Sequence, residues 1–188
     1  NLAVPNSYFW KELLRDEGYT IGRLDSRYLG IDRQDAGTRP DYSPELTSWN
    51  HAFAPAINHY LRDELGFKTD LQYYLFGPVG RWSGGNPNYN GGEQLRQAMA
   101  QNPFLHVMVQ SGYYDGATDY FTAKYVLWNM DPGGRLGDRI RWEGYRSGHM
   151  MYLRAEDLET SNEDIREFIR ASLTEDGQPA SYRRPGNR

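Results

Sequence analysis

The stretch that decides the fold spans residues 104–115 and has the sequence FLHVMVQSGYYD. Residues 104–110 are apolar and β-branched enough for a buried parallel strand, which ends at a turn containing Gly112. Asp115 follows this turn. In open α/β sheets, functional side chains lie just beyond the carboxyl ends of the strands. The stretch therefore predicts a strand of an α/β sheet that presents Asp115 at the functional edge.

The sequence after this turn predicts a helix and then a second strand. Thr118 is a candidate cap for a helix with aromatic residues on its apolar side, and residues 140–145 form the next predicted strand. The segment 147–151, SGHMM, follows that strand and presents His149. A final helix is expected to start at Ser161, in a segment that resembles a capping box. Because a parallel sheet of two or three strands needs covering on both faces, the rest of the fold is expected to come from outside this chain.

Residues 1–103 predict a helical, loop-rich segment. One helix is expected after Ser7, and a second starts at the signal Ser43-Pro44-Glu45 and is kinked or split by Pro55. Composition and pattern assign four further segments: an extended excursion or loop at 19–42, a short strand or extended segment at 70–76, a loop at 77–92 and a short helix that ends before Asn102.

Composition narrows the possible functions. The 188 residues suffice for one substantial domain, and 21 Lys and Arg against 25 Asp and Glu argue against a nucleic-acid surface. No apolar run is long enough to span a membrane, and the lack of Cys excludes disulfides, thiolate metal sites and a Cys nucleophile. His51 and His59 stand outside any H-E-x-x-H pattern, so no metal or cofactor is expected. The start at Asn1 predicts that a leader or larger N-terminal piece was removed, or that the chain is a fragment.

Asp115 and His149 together suggest acyl-transfer chemistry. Each follows a predicted strand, and the order Asp then His, with a nucleophile earlier, is typical of the α/β-hydrolase arrangement. His149 could act as general base and then general acid, while Asp115 would accept its Nδ1 proton. Taken singly, the acid could be a turn cap and the imidazole a surface group. The segment 81–85, RWSGG, comes nearest to the nucleophile-elbow pattern G-x-S-x-G and would make Ser83 the nucleophile. Arg81 stands where the pattern has its first Gly, which favours a plain Gly-rich loop.

The chain resembles the C-terminal end of a serine carboxypeptidase of the S10 type, closest to the bacterial branch of that family. The resemblance rests on residues 105–158, which contain SGYYD ending at Asp115 and GHM around His149. Residues 11–18, KELLRDEG, and 22–27, GRLDSR, are similar to the region between the nucleophile and the last strands. The resemblance covers nearly the whole chain.

What the resemblance implies is a serine carboxypeptidase that releases C-terminal residues from peptides. Asp115 and His149 would be triad members, and Met150, just after the His, would line the pocket for the departing residue. In the Asp motif G-D-x-D, Tyr113 replaces the first Asp. The nucleophile elbow G-E-S-Y-G is N-terminal to anything present here, so the implied partner is an N-terminal chain or fragment carrying the Ser.

The same resemblance assigns roles to segments of the chain. Residues 1–103 would be a cap or insertion, 104–175 the last strands and helices of the α/β-hydrolase core, and 176–188 a disordered tail. A periplasmic or secreted location is implied by the family. Two alternatives stay open: a non-catalytic binding module that uses exposed aromatic residues and the loop 82–89, and a hydrolase of the same fold that acts on esters or acyl groups.

Overall fold

The computed structural model describes residues 6–33, 36–77 and 90–173, with side chains from Phe9 onward. The chain divides into two compact units, Asn1–Asn86 and Pro87–Arg188. Helices predominate, and each unit contains one two-stranded sheet among the described residues. The chain is therefore of mixed α and β structure, as expected, with small sheets.

The first unit contains two helices and an antiparallel pair of short strands. Its elements are helix α1 (Asn6–Glu12), a 3-10 turn (Arg15–Glu17), strands β1 (Tyr19–Ile21) and β2 (Leu29–Ile31), and helix α2 (Pro44–His59), which continues as a π-helical turn (Tyr60–Glu64). The predicted start of α2 is confirmed, since Ser43 is the N-cap and Pro44 the first helical residue. α2 includes Pro55 without a break in the helix.

The structure decides between the alternatives predicted for two segments of the first unit. The region 19–42 contains β1 and β2, which pair with Thr20 opposite Gly30; three-residue strands are too short to leave a visible period in the sequence. The segment 70–76 forms no strand. The side chain of Asn58 takes the place of a neighbouring strand, because its amide accepts from the Tyr73 backbone N at 3.0 Å and donates to the Tyr73 carbonyl at 3.1 Å.

The core of the first unit holds charged side chains. Lys11 and Asp32 form a buried ion pair that joins α1 to the end of β2. Glu45, on the first turn of α2, is fully buried and accepts a hydrogen bond from the Leu24 backbone N at 2.9 Å. Trp49 lies one turn further along the same helix and is also buried. Burial of charge is costly unless it is paired or hydrogen-bonded; one oxygen of each carboxylate is satisfied in this way, while Asp32 Oδ1 and Glu45 Oε2 are buried without a hydrogen-bond partner among the described residues.

The second unit consists of a parallel strand pair with helices before, between and after the strands. Its elements are helix α3 (Gly91–Gln101), strand β3 (Val107–Gly112), helix α4 (Tyr120–Met130), a 3-10 turn (Gly137–Arg139), strand β4 (Ile140–Tyr145), a 3-10 turn (Met151–Leu153) and helix α5 (Ala155–Ser172). β3 and β4 are parallel and in register from Val107 opposite Ile140 to Gly112 opposite Tyr145. The predicted strand, helix, strand, helix order is confirmed.

Successive side chains along each strand point to opposite faces of the sheet. On one face Val107 and Ile140 pack against the buried cluster of Met99, Met130 and Leu136, which joins α3 to α4. α3 therefore belongs to the second unit, and the division of the chain lies earlier than the predicted boundary after residue 103. The assignment of the two segments to a cap and a hydrolase core stays a prediction.

The other face of the sheet packs against α5. Gln110 of β3 donates to the hydroxyl of Tyr145 at 2.8 Å, and that hydroxyl donates to Asp164 of α5 at 2.7 Å. α5 starts at Ala155, ahead of the predicted start at Ser161, whose hydroxyl instead donates to the Leu158 carbonyl at 3.0 Å within the helix. Acidic residues in the first turn after Ala155 favour this earlier start, because they interact well with the helix dipole.

Candidate functional site

The loops that follow β3 and β4 run together beyond the ends of the strands. The backbone N of Tyr113 donates to the Tyr145 carbonyl at 2.9 Å, and that of Tyr114 donates to the Ser147 carbonyl at 3.0 Å. A Cβ atom on Gly112 would overlap the carbonyl oxygens of Ser147 and Gly148. The two loops approach this closely because glycine occupies the position where they cross.

This crossing brings the two predicted site residues together. Oδ2 of Asp115 lies 2.7 Å from Nδ1 of His149, a hydrogen-bond distance between side chains that are distant in sequence. The Asp115 side chain is 4% exposed, whereas that of His149 is 45% exposed. The buried member is thus the acid, and the imidazole extends from it into open space.

Three donors from the loop after β3 hold the Asp115 carboxylate. Oδ1 accepts from the backbone N of Ala117 at 2.8 Å and of Thr118 at 3.0 Å, and Oδ2 accepts from the Thr118 hydroxyl at 2.5 Å. Burial raises the pKa of Asp115, but hydrogen bonds from Thr118, His149 and Ala117 outweigh it and leave this pKa below its usual value. The carboxylate is therefore ionised and fixed when the imidazole approaches it.

The second nitrogen of the imidazole is open. Within the described ranges 6–33, 36–77 and 90–173, His149 makes hydrogen bonds through Nδ1 only, to Asp115 and, at 3.3 Å, to the Thr118 hydroxyl. Because Nδ1 donates to the carboxylate, the neutral ring carries its lone pair on Nε2, the form needed for a general base. The geometry suits proton transfer to and from a group supplied at Nε2.

The structure brings no serine hydroxyl to His149 among the residues it describes. Ser147 lies two residues before the histidine, but it is fully buried and its hydroxyl oxygen has no hydrogen-bond partner. Ser83, the weak nucleophile candidate, lies outside the described residues, as does the loop 82–89.

Two neighbours of the pair have defined structural positions. Met150 is partly buried and begins the 3-10 turn after β4, where its carbonyl accepts from Leu153 at 3.1 Å. Tyr113 packs edge-on against Tyr120 of α4, with ring centroids 4.9 Å apart. Tyr113 also occupies the space left by Gly144, where a Cβ atom would lie 2.6 Å from the ring. A role for Met150 in substrate binding stays a prediction.

Thr118 is a site residue that sequence reasoning missed. It was expected to cap α4, but the N-cap is Asp119, and the Thr118 hydroxyl donates to Asp115 instead. The spacing of Asp115 and Thr118, three residues apart in a loop, is the signal that could have indicated this contact, because Asp side chains often accept hydrogen bonds from nearby residues ahead of them.

The weaker histidine candidates, His51 and His59, lie on α2. Nδ1 of His59 lies 2.5 Å from Oδ2 of Asp63 on the next turn, in an exposed contact. Across the three described ranges, no three His, Asp or Glu side chains are close enough to hold a metal ion. No helix in these ranges combines the length and apolar character needed to cross a membrane.

Comparison with known proteins finds no match for this chain among protein-family models, curated proteins or solved structures.

Proposed function

We propose that this chain supplies the Asp and His of a serine carboxypeptidase-like α/β-hydrolase, with the nucleophilic Ser on another polypeptide. The observation that carries the proposal is the 2.7 Å contact between Asp115 Oδ2 and His149 Nδ1, on two loops at the carboxyl ends of parallel strands. Sequence order and sheet position agree with the α/β-hydrolase arrangement. A buried acid behind a half-exposed imidazole is the polarity that such a triad needs.

The proposed mechanism uses the imidazole twice. His149 Nε2 takes the proton of the serine hydroxyl as the serine oxygen attacks the carbonyl carbon of the terminal peptide bond. The same nitrogen then gives that proton to the departing amine, which leaves an acyl-enzyme. Water, deprotonated by Nε2 in turn, releases the shortened peptide and restores the serine. Asp115 stays ionised and stabilises the imidazolium in each step. No metal or cofactor takes part.

The partner in this proposal is an N-terminal chain or fragment. Among the described residues, β3 and β4 pair only with each other, and a parallel sheet is ordinarily covered on both faces and wider than two strands. A partner that adds strands to this sheet would bring its serine to the same edge as His149. The peptide substrate, the contact with Met150 and a periplasmic or secreted location belong to the same proposal.

The test uses protein purified from cells that express the complete natural coding region. A fluorophosphonate probe reacts only with an activated serine. We expect it to label a second polypeptide that copurifies with the 21.8 kDa chain. His149→Ala should abolish labelling while the two polypeptides still copurify, and His51→Ala, which alters an exposed histidine on α2, should leave labelling unchanged. Undiminished labelling of the His149 variant would disprove the proposal.

Substrate class is tested on the same preparation with three compounds that share an N-acyl dipeptide. A carboxypeptidase should cleave the dipeptide with a free carboxylate and spare its C-terminal amide. Faster turnover of the corresponding ester, with no cleavage of the peptide, would favour the ester hydrolase. That result would keep Asp115 and His149 in their roles and change only the substrate.

A second candidate function is a binding module, favoured by a cavity away from the Asp115–His149 pair. The cavity has a volume of about 460 Å³ and lies beside the C-terminal half of α4 and the start of β4. Its lining is mostly apolar and includes Trp128, Trp142 and the ammonium group of Lys124. Its volume is in the range of small-molecule sites. This function would be favoured if the fluorophosphonate probe labels no polypeptide and the tryptophan fluorescence of the protein changes when an aromatic carboxylate is added.

A further inference from the structure

The hydroxyl of Thr118 lies between the two members of the proposed pair. It is 2.5 Å from Oδ2 of Asp115 and 3.3 Å from Nδ1 of His149. A hydroxyl has one proton to donate, and the shorter distance assigns that proton to the carboxylate. Its lone pairs then face the imidazole, so Nδ1 meets acceptors from both residues. This arrangement favours the ring tautomer with the proton on Nδ1.

We propose that Thr118 is a positioning residue for His149, which holds the Asp115 carboxylate in place and thereby selects the imidazole tautomer. The catalytic meaning of this role rests on the proposed hydrolase function, whereas its effect on the pair does not. The loop donates to the carboxylate through the backbone N of Ala117 and through both the N and the hydroxyl of Thr118. Of these three donors, the hydroxyl is the one that bonds Oδ2, the oxygen that faces Nδ1.

The competing arrangement shows why the hydroxyl matters. If it donated to Nδ1 instead, the imidazole would carry its proton on Nε2 and could no longer accept a proton there. The Asp115 carboxylate prevents this by being the stronger acceptor, since a hydrogen bond to an ionised group is about twice as strong as one between neutral groups. Asp115 and Thr118, which lie three residues apart in the sequence, therefore exclude the unproductive tautomer together.

Threonine suits this position because its hydroxyl reaches Oδ2 from a short side chain. Its branched Cβ restricts χ1 to few rotamers, so the hydroxyl needs little ordering to reach Oδ2. Thr118 is exposed, and a residue that lacks both the hydroxyl and the branch would let water enter in its place. Thr118→Val should therefore perturb the pair more than Thr118→Ala, because the valine methyl group excludes that water and offers no donor.

The test measures the pair directly on the whole chain. Ring ¹⁵N shifts of His149 report which nitrogen carries the proton, and the Asp115 carboxyl ¹³C shift reports its protonation. We expect Thr118→Val to reduce the Nδ1–H tautomer and to raise the pH at which Asp115 titrates, with Thr118→Ser close to wild type. Identical tautomer populations and an unchanged Asp115 titration in Thr118→Val would overturn the proposal, as would a change in stability alone.

A second comparison covers a valine variant that does not fold. Thr118→Ala and Thr118→Ser differ by one hydroxyl, and a smaller Nδ1–H population in the alanine variant is then the expected result. Equal populations would overturn the proposal.

Activity separates this proposal from the function on which it rests. In the assembled enzyme, Thr118→Val should lower kcat/KM about 10- to 100-fold, and Thr118→Ser should restore it, as expected for loss of one hydrogen bond to a charged group. An inactive wild type with the expected NMR changes would reject the hydrolase and keep the positioning role. An active enzyme indifferent to Thr118→Val would keep the hydrolase and reject the positioning role.

Discussion

A Cβ atom on Gly112 would overlap the backbone carbonyl oxygen of Gly148, so a side chain at position 112 has no space. This contact is where the loop bearing Asp115 crosses the loop bearing His149. The approach lets Tyr114 donate to the Ser147 carbonyl and places the side chains of Asp115 and His149 within hydrogen-bond distance. The geometry of the Asp115–His149 pair is therefore set by the close packing of the backbone at Gly112 against the backbone at Gly148.

A methyl group at this crossing should separate the two loops. Gly112→Ala is expected to lower the free energy of unfolding by about 1–3 kcal/mol, because the new Cβ overlaps backbone atoms that cannot rotate away. Urea denaturation followed by far-UV circular dichroism measures this change. Gly137→Ala is the matched control, since no atom lies within 4 Å of its Cβ. Equal stability of the two variants would contradict the crowding described here.

The low pKa of Asp115 predicts a dependence of stability on pH. Burial raises this pKa, but hydrogen bonds from Thr118 and His149 lower it by more than burial raises it. The folded chain therefore binds a proton at Asp115 less readily than the unfolded chain. The stabilisation from Asp115 is thus complete above the unfolded Asp pKa of about 3.9 and is lost as the pH falls through the lower folded pKa. It should be missing in Asp115→Asn.

Urea denaturation between pH 3 and pH 6 checks this effect. The difference in unfolding free energy between wild type and Asp115→Asn should be largest near pH 6 and shrink toward pH 3. Asp138→Asn, which removes an exposed carboxylate, should show little change over the same range. A constant difference for Asp115→Asn would mean that its pKa is not lowered by folding.

The buried ion pair of the first unit should be sensitive to loss of one partner. The side chains of Lys11 and Asp32 are only 2% and 3% exposed. Lys11→Met should destabilise the chain by about 3–5 kcal/mol, because it leaves a buried carboxylate without its cation. The double variant Lys11→Met/Asp32→Leu should recover much of this loss, and Lys68→Met, at an exposed lysine, should be near neutral. Thermal or urea denaturation compares them, and a neutral Lys11→Met would refute the role of the pair.

The hydroxyl of Tyr145 connects β4 to α5 through a hydrogen bond. It donates to Asp164 at 2.7 Å and accepts from Gln110 at 2.8 Å, and Tyr145→Phe should cost about 1–3 kcal/mol by leaving both partners short of a hydrogen bond. Tyr125→Phe, at a tyrosine 64% exposed, is the control.

An alkaline titration gives an independent check on the same hydroxyl. Burial, and then the hydrogen bond to Asp164, raise the pKa of Tyr145 far above its usual value. Absorbance at the tyrosinate wavelength should therefore include, in the folded wild type, a component from Tyr145 that appears well above pH 10. Loss of that component in Tyr145→Phe assigns it, and its persistence would contradict the assignment.

Several elements were predictable because their causes are local. The apolar, β-branched run before Gly112 predicted a strand that the structure places at Val107–Gly112, and β4 has the predicted bounds Ile140–Tyr145. The start of α2 followed from Ser43 and Pro44. The pairing of β1 with β2 was not predicted, and of the two alternatives for 70–76 no strand forms, because such short pieces depend on which neighbour is available to accept their hydrogen bonds.

The sequence by itself determined that an acid and a histidine would each follow a strand of an α/β sheet, in the order Asp115 then His149. A strand end and its following residue are properties of neighbouring positions. Only the tertiary structure decided that the two side chains meet at 2.7 Å, that Thr118 bonds the acid instead of capping α4, and that Gly112 lets the loops cross. Those contacts depend on how distant segments pack, since the space beside each residue is set by side chains that its own local sequence does not contain.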